Sequence, residues 1–346
     1  MKVVFRVDAS FQIGSGHVMR CLTFARVLKS NDVEVDFICR QHDGNLIDKI
    51  RMDGFNVFAL DFLPDSKVDS SLPYSNWLGT TQYKDAKQCV DILKLKEVDW
   101  LIIDHYALDK DWHNQVNKFC NKLMVIDDIA DRKLNCDILL NQNLGVTKDD
   151  YRNKVNEECR FLLGCHYALL SANFAKLRKE ALIKRQKTKT IKTILISMGG
   201  SDPNNITFDI LQSIDNDVNI IVVLGWSSPH IEMIKHYAIN KNIEVLVGVN
   251  NMAELMLDAD LSIGAGGSTS WERCCLGLPT LLYIMDNNQR NIAMNLEKIG
   301  AVIIVNNLQK NLSFILNNIN IWRSIYSQAY TLTDGLGASR VVNYLL

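Results

Sequence analysis

The chain has 346 residues, of which 47% are hydrophobic and 22% are charged, and its net charge is −1. This length predicts two domains, and the composition is typical of a globular protein with large buried cores. A charge so close to zero excludes a broadly basic surface, so neither nucleic acid nor an acidic membrane surface is expected as a partner.

The sequence predicts no membrane anchor. No apolar run approaches the roughly 18 residues that a membrane span needs. The first residues place Arg6 and Asp8 within an apolar stretch, which predicts a β-strand rather than a secretory signal. The nine cysteines form no Cys-x-x-Cys pair, and Cys274 and Cys275 are adjacent. Such a set is typical of reduced thiols, so the predicted location is cytoplasmic.

Short β-branched runs alternate with helix-length segments along the chain. The first half contains the predicted strands Val3–Asp8, Val33–Arg40, Phe55–Leu60, Trp100–Asp104, Leu123–Asp127 and Ile138–Leu140. The second half contains Thr193–Met198, Asn219–Leu224, Ile243–Val247, Leu261–Ile263, Thr280–Ile284 and Val302–Val305. This alternation predicts an α/β protein with two doubly wound, Rossmann-like domains facing a central cleft.

The predicted N-terminal domain covers residues 1–170, and the predicted C-terminal domain covers residues 191–325. The segment 171–190 between them is the predicted linker, and the run Lys176–Lys192 is rich in Lys and Arg without interleaved aromatic residues. It predicts a solvated helix and linker rather than a nucleic-acid site. In open α/β sheets, ligands bind beyond the C-terminal ends of the strands, so functional residues are expected in the loops that follow the strands.

The loop after the first strand carries the main catalytic candidate. Gly14, Ser15 and Gly16 precede His17 at the predicted start of a helix. The glycines allow a sharp turn and close approach of a ligand, and a helix N-terminus suits phosphate. A histidine there can act as a general base or acid near neutral pH, with capping or packing as the alternative.

Polar residues at the ends of neighbouring predicted strands could support His17. Asp8 ends the first strand, and Asp104, His105 and Tyr106 lie at the end of the fourth. Asp8, Asp104 or His105 could orient the imidazole, and the sequence leaves that choice open.

A glycine-rich turn in the second half predicts a nucleotide site. Gly266 and Gly267 are followed by Ser268, Thr269 and a helix start, a pattern that can cradle phosphate. Glu272 lies one helical turn further, where its carboxylate can accept hydrogen bonds from a ribose diol. The alternative is a capping box between Thr269 and Glu272, which have the required spacing.

Two other loops are candidates for lining the site. Gly199 and Gly200 follow the strand Thr193–Met198 in a turn that can approach a ligand, although an ordinary β–α turn is the alternative. Asn288 and Gln289 lie in a polar loop after the strand Thr280–Ile284, where they could contact the sugar or form a plain surface turn.

Seven segments together resemble the UDP-sugar hydrolases of pseudaminic acid biosynthesis, the PseG family. In chain order they are Ile13–Arg20, Asp104–Tyr106, Ile126–Asp128, Leu163–Leu170, Met198–Pro203, Gly266–Glu272 and Asp334–Arg340. The match runs in order over nearly the whole chain, and the combination is far more specific than any single segment.

The resemblance implies a GT-B-like fold, related to the inverting glycosyltransferase that adds N-acetylglucosamine during peptidoglycan synthesis. It implies that His17 is catalytic and that water replaces the acceptor sugar. The implied reaction converts UDP-2,4-diacetamido-2,4,6-trideoxy-β-L-altropyranose to UDP and the free sugar. The last helix of that fold crosses back, which would place residues from about 325 to 346 on the first domain.

The expected partner is therefore a small-molecule UDP-sugar, and other enzymes of the same pathway are candidate partners. No cofactor is expected, and no metal site of the Asp-x-Asp type. The alternatives are a GT-B glycosyltransferase with a UDP-sugar donor and a nucleotide-sugar-binding protein without turnover. A dehydrogenase is excluded because the sequence contains no Gly-x-Gly-x-x-Gly motif.

Overall fold

The computed structural model describes residues 1–62, 72–200, 202–214 and 218–346. The strands, in chain order, are β1 Lys2–Val7, β2 Glu34–Arg40, β3 Asn56–Leu60, β4 Trp100–Asp104, β5 Lys122–Ile126, β6 Ile138–Asn141, β7 Arg160–Leu163, β8 Thr193–Ser197, β9 Asn219–Leu224, β10 Ile243–Val247, β11 Leu261–Ala265, β12 Thr280–Tyr283 and β13 Ile303–Ile304. The α-helices are α1 Gly16–Lys29, α2 Ile47–Met52, α3 Gln82–Leu93, α4 Lys110–Val116, α5 Ala172–Lys187, α6 Ile206–Gln212, α7 Ile231–Ala238, α8 Met252–Asp258, α9 Thr269–Cys275, α10 Asn287–Lys298, α11 Leu308–Asn317, α12 Ile319–Tyr330 and α13 Gly337–Leu345.

The chain divides into two compact units. One comprises Met1–Leu169 together with Ala338–Leu346, and the other comprises Leu170–Gly337. The first contains a parallel sheet in the order β3-β2-β1-β4-β5-β6-β7, and the second a parallel sheet in the order β10-β9-β8-β11-β12-β13. The predicted α/β class with two doubly wound sheets is confirmed.

Each sheet contains a point where the strand order reverses. In the first unit this point lies between β1 and β4, and in the second between β8 and β11. Ligands of open α/β sheets bind beyond the C-terminal strand ends at such points. Asp104 is the last residue of β4, and His17, the Gly199 turn and the Gly266 turn follow β1, β8 and β11, so the candidate residues lie near these strand ends.

Apolar side chains on one face of β1 anchor the first of these loops. Val3, Phe5 and Val7 are fully buried in a core cluster with Leu22 of α1 and Val341 of α13. This packing follows from the alternation of side chains along a strand. It fixes the direction in which α1 leaves the sheet, and α1 begins beside His17.

Strand β7 is absent from the predicted elements. Its apolar run covers only Phe161–Leu163 and follows an exposed arginine, Arg160. The predicted strands Ile138–Leu140 and Leu261–Ile263 are equally short but contain an isoleucine, whereas Phe161–Leu163 contains no β-branched residue to mark it as a strand. The strand is nevertheless formed because it pairs in parallel with β6 at the edge of the sheet.

Helix α5 occupies most of the segment 171–190, where the sequence predicts a solvated helix and linker. It is part of the second unit and is not solvated on all sides. Arg185 is fully buried and donates to the main-chain oxygens of Ala259 at 2.5 Å and Met256 at 2.7 Å. Its basic residues therefore include hydrogen-bond donors that hold the helix to the unit.

The resemblance places residues 325–346 on the first domain. Of these, Ala338–Leu346 belongs to the first unit, whereas α12 belongs to the second.

Within the described residues, no helix is both long and apolar enough to cross a membrane.

Candidate active site

The turn between β1 and α1 presents His17 at the start of a helix. His17 is the second residue of α1, and Gly14 has a φ of +78°, a conformation that favours glycine. A Cβ on Gly14 or Gly16 would meet open space. Ser15 is the N-cap, but its side chain makes no capping hydrogen bond, and the first turn contains no acidic residue. The positive end of the helix is therefore not neutralised by its own residues.

His17 is paired with Asp104, at the C-terminal end of the adjacent strand β4. The Nδ1 atom of His17 lies 2.6 Å from Oδ1 of Asp104. Arg20, one turn along α1, donates to both carboxylate oxygens of Asp104, at 2.6 and 2.7 Å. Burial opposes ionisation of Asp104, but Arg20 and His17 outweigh it and hold the pKa of this carboxyl well below its usual range.

This pairing determines which ring nitrogen of His17 can act as a base. An ionised carboxylate accepts the hydrogen bond, so Nδ1 carries the proton in the neutral imidazole and Nε2 carries the lone pair. Among the described residues, the hydrogen bonds of the ring all involve Nδ1. Nε2 is therefore free to take a proton from a ligand or a water molecule.

Asp8 and His105 lie in a separate buried cluster. Oδ1 of Asp8 accepts from the Arg6 guanidinium at 2.6 Å and from the Arg40 amide at 2.7 Å. Its Oδ2 faces Nε2 of His105 at 3.3 Å and Nε2 of His42 at 3.6 Å. Burial lowers the pKa of His105, although Asp8 opposes this change. Of the three residues that could orient His17, the structure thus places Asp104 against the ring.

Tyr106 forms one side of the histidine environment. Its ring is perpendicular to that of His17, with centroids 4.7 Å apart. Its hydroxyl donates to Oδ2 of Asp128 at 2.6 Å, and burial, followed by Asp128, raises the pKa of Tyr106 well above its usual value. Arg20 also donates to Asp128 at 2.6 Å, so one guanidinium joins Asp104 and Asp128.

Three residues of this site are absent from the predicted set. Arg20 could have been found because it lies three residues after His17, on the same face of the helix. Asp128 follows β5, the neighbour of β4, and its position after a strand was the available signal. Trp77 stacks on Tyr106 with centroids 5.5 Å apart and lies 6.0 Å from the His17 ring. No sequence spacing indicates Trp77.

The turn between β11 and α9 contains the predicted phosphate cradle. The amide of Gly266 donates to the main-chain oxygen of Tyr283 at 2.9 Å. The amides of Ser268 and Thr269 have no hydrogen-bond partner among the described residues. A Cβ on Gly267 would meet open space. The turn therefore offers two unpaired donors beside an uncrowded backbone, which suits an anion.

The structure does not contain the capping box that was the alternative interpretation of Glu272. Ser268 is the N-cap of α9 and makes no side-chain capping bond, so Thr269 and Glu272 do not form a capping box. Among the described residues, none donates a hydrogen bond to the Glu272 carboxylate. Burial raises its pKa to about 7, although the charge of Arg273 opposes this. Glu272 is thus a largely enclosed carboxyl group that is available to a ligand.

The turn after β8 is tightly fitted to its neighbour. Gly199 is exposed and has a φ of +99°, which favours glycine. A Cβ on Gly225, after β9, would lie 2.0 Å from the main-chain oxygen of Gly200. Ser201, within the same motif, lies outside the described residues. Close backbone packing against Gly225 therefore holds Gly200 near the strand ends, while a Cβ on Gly199 would meet open space.

Asn288 and Gln289 lie in the first turn of α10 rather than in a loop. The side-chain oxygen of Gln289 accepts from the Met285 amide at 3.0 Å. The Cβ of Gln289 is 3.5 Å from the position that a Cβ on Gly266 would take. The structure therefore brings Gln289 next to the predicted phosphate cradle.

The described residues contain no group of three or more His, Cys, Asp or Glu side chains placed to hold a metal ion. An Asp-x-Asp sequence does occur at Asp258-Ala259-Asp260, before β11. The Asp260 carboxylate accepts from the amides of Lys192 and Thr193, at 2.9 and 3.1 Å. It therefore holds the start of the sheet, at the end opposite to the candidate turns.

Comparison with known proteins agrees with the sequence motifs. Residues 175–320 match the glycosyltransferase family 28 C-terminal domain. The chain is 28% identical over 304 residues to the UDP-2,4-diacetamido-2,4,6-trideoxy-β-L-altropyranose hydrolase of Campylobacter jejuni, covering 87% of this chain and 97% of that protein. The resemblance to this hydrolase family is confirmed.

Two other relatives of this chain come from different organisms. It is 26% identical to the spore coat polysaccharide biosynthesis protein SpsG of Bacillus subtilis, over 100% of this chain and 98% of that protein. It is 30% identical to an uncharacterized protein of Methanocaldococcus jannaschii, over 84% of this chain. The chain spans 57% of the length of that archaeal relative.

Solved structures with low sequence identity share the fold. MurG of Acinetobacter baumannii has a TM-score of 0.67 and 14% identity, with 99% of both chains covered. The UDP-GlcNAc 2-epimerase of Neisseria meningitidis has a TM-score of 0.66 and 13% identity, covering 100% of this chain and 99% of that one. The predicted GT-B-like fold of this relative of the hydrolases is confirmed.

Proposed function

We propose that the protein hydrolyses a UDP-sugar to UDP and the free sugar, with His17 as the general base. The observation that carries this proposal is the His17–Asp104 pair at 2.6 Å, which leaves Nε2 as the basic nitrogen. The similarity to the Campylobacter hydrolase supports a UDP-sugar as substrate. It also supports the specific sugar, 2,4-diacetamido-2,4,6-trideoxy-β-L-altropyranose.

In the proposed reaction, Nε2 of His17 removes a proton from water as the water oxygen attacks the anomeric carbon. The bond between that carbon and the diphosphate oxygen breaks, and UDP leaves with the electron pair. UDP is a good leaving group, so the main requirement is a better nucleophile than neutral water. General-base assistance typically contributes about 10²–10⁴ in rate. Attack opposite to the leaving group inverts the anomeric configuration.

We assign nucleotide binding to the second unit. The unpaired amides of Ser268 and Thr269 are suited to the diphosphate, and the Glu272 carboxylate to the ribose hydroxyls. Gly199 and Gly200 follow β8, which lies beside β11 at the same reversal point. Their lack of side chains would allow close approach of the ligand. Asn288 and Gln289 are assigned to the sugar side of the site, with Gln289 next to Gly266.

The decisive test is UDP release from a panel of UDP-sugars that includes the altropyranose derivative and UDP-GlcNAc. We expect release with the altropyranose derivative, without any acceptor, and at the same rate in the presence of EDTA. Release from none of the sugars would refute hydrolysis.

The family 28 match favours one alternative, a glycosyltransferase that uses a UDP-sugar donor. A transferase would release UDP quickly only when an acceptor is present. The acceptor-free assay therefore separates the two functions, because rapid release in water alone supports the hydrolase.

Replacing Glu272 with alanine is expected to weaken UDP binding by about 1–3 kcal/mol, the usual contribution of a hydrogen bond to a charged group. Calorimetric titration of the folded variant with UDP measures this change. As a control, Glu297→Ala alters a carboxylate on α10 that accepts a hydrogen bond from the Ile304 amide, and its UDP affinity should stay near the wild-type value. An unchanged affinity in Glu272→Ala would exclude the ribose role.

UDP affinity is also expected to depend on pH through Glu272. The pKa of this carboxyl is about 7, and only the ionised form accepts hydrogen bonds with both oxygens. Protonation below that pKa should weaken binding, by about tenfold between pH 8 and pH 6. The terminal phosphate of UDP also has a pKa of about 6. The pH profile of UDP affinity is therefore compared between wild type and Glu272→Gln. Equal pH profiles in both proteins would contradict the prediction.

A further inference from the structure

Arg273 is a buried cation beside the turn between β11 and α9. It is 2% exposed, and its Nη2 donates to the main-chain oxygen of Ala265 at 2.6 Å and to Oγ of Ser270 at 3.1 Å. Its Nε and Nη1 atoms have no hydrogen-bond partner among the described residues. None of the described carboxylates forms an ion pair with the Arg273 guanidinium. Among those residues, this charge therefore has no direct counter-ion.

Such an arrangement is unfavourable, because a buried charge normally requires a partner of opposite sign. Burial lowers the pKa of Arg273 to about 10, with Cys274 and Glu272 opposing, so the guanidinium is still protonated at neutral pH. The neighbouring Glu272 makes no contact that would neutralise it. A ligand with negative charge near this position would offset the cost.

The guanidinium lies at the reversal point of the second sheet. A Cβ on Gly264 would be 2.3 Å from Nη1 of Arg273 and 2.8 Å from the main-chain oxygen of Ser197, so the group fits against the ends of β8 and β11. Ser270 links it to the turn, because Oγ of Ser270 also accepts from the Gly267 amide at 3.3 Å. The unpaired charge is thus connected by two hydrogen bonds to the backbone of the phosphate cradle.

We propose that Arg273 is a positioning residue that provides positive charge behind the β11–α9 turn and thereby favours the diphosphate of the bound nucleotide. This inference rests on the proposed function for the identity of the nucleotide. Arg273 acts through the turn and through space, without touching the ligand. Its contribution should therefore depend on the charge of the ligand and should be absent for an uncharged nucleoside.

Arg185 provides a matched control within the same unit. It is also fully buried, its Nη atoms also donate only to main-chain oxygens, its Nε is also unpartnered among the described residues, and its pKa is also lowered by burial to about 10. It lies beside Ala259, before the start of β11 rather than after its end. A purely structural role for buried arginines predicts similar consequences for both, whereas the proposal predicts a difference in nucleotide binding.

The experiment compares UDP and uridine binding to wild type, Arg273→Met and Arg185→Met. Calorimetry gives the dissociation constant for UDP, and competition against UDP gives that for uridine. Arg273→Met should weaken UDP binding by at least about tenfold, on the scale of one partly screened charge interaction. Its uridine affinity should stay within about twofold of wild type, since the uncharged ligand has no such interaction. Arg185→Met should leave both affinities unchanged.

Methionine is expected to be tolerated, because replacing a buried charge by an apolar side chain of similar length is often neutral for folding. If Arg273→Met does not fold, Arg273→Gln and Arg273→Lys give the same comparison, since both keep donors and only lysine keeps the charge.

Equal losses of affinity for UDP and uridine, or no loss for UDP, would overturn the charge role of Arg273. A wild-type protein that binds uridine and UDP with equal affinity would also overturn it. A wild type that binds UDP tightly but releases none from any UDP-sugar would instead refute the proposed function alone.

Discussion

Replacing His17 with asparagine is expected to reduce turnover by at least about 10², while UDP affinity stays nearly unchanged. The reason is that Nε2 of His17 accepts a proton only as the water attacks, so its loss affects the transition state and not the bound nucleotide. Steady-state UDP release and calorimetric UDP titration of the same preparation measure the two quantities. His166→Asn, at an exposed position in the first unit, is the control and should retain full activity.

The bond that is broken can be tested in the same assay. Hydrolysis in ¹⁸O-water should place the label in the free sugar, because the proposed attack is at the anomeric carbon. Label in UDP would indicate attack at phosphorus, with His17 binding phosphate instead of activating water. Normal turnover by the His17→Asn protein would remove His17 from the mechanism.

Replacing Asp104 with asparagine is expected to lower kcat by about 10²–10⁴, with little change in KM. The carboxylate of Asp104 accepts the hydrogen bond from the proton-bearing Nδ1 of His17. An asparagine amide can instead donate to Nδ1, which moves the ring proton to Nε2 and removes the basic lone pair. Steady-state kinetics and a thermal unfolding curve are both needed, because Arg20 also loses a charged partner.

Asp128→Asn is the matched control for this prediction. Asp128 bonds the same arginine but has no contact with the His17 ring, so its replacement should change kcat by less than about tenfold. A folded Asp104→Asn protein with wild-type kcat would show that the carboxylate does not set the state of the imidazole. Equal losses in the two variants would indicate that Arg20, rather than His17, mediates the effect.

The fold was largely predictable because local patterns determine it. Alternation of β-branched runs and helix-length segments places the strands near their observed positions, within a few residues at each end. Strand β7 was missed because Phe161–Leu163 contains no β-branched residue and the strand forms through pairing with β6. The segment 171–190 was misjudged in one respect, since charge in a sequence does not reveal that Arg185 binds main-chain oxygens inside the unit.

The candidate site was predictable only in part. His17 could be selected from its position after β1 and two glycines. The choice among Asp8, Asp104 and His105 depends on side-chain geometry at neighbouring strand ends, which a sequence does not contain. The contacts of Arg20 with Asp104 and Asp128 span 84 and 108 residues, and no local spacing reports such pairs.

The bridge that Arg20 makes between Asp104 and Asp128 has a consequence for how the site tolerates change. Because both carboxylates share one guanidinium, substitutions at the two positions are energetically coupled and their effects should not add. A second substitution should cost less than the first, since the arginine has already lost its fixed orientation. The arginine and the two aspartates therefore respond to substitution as one unit in folding stability, although only Asp104 contacts the histidine ring.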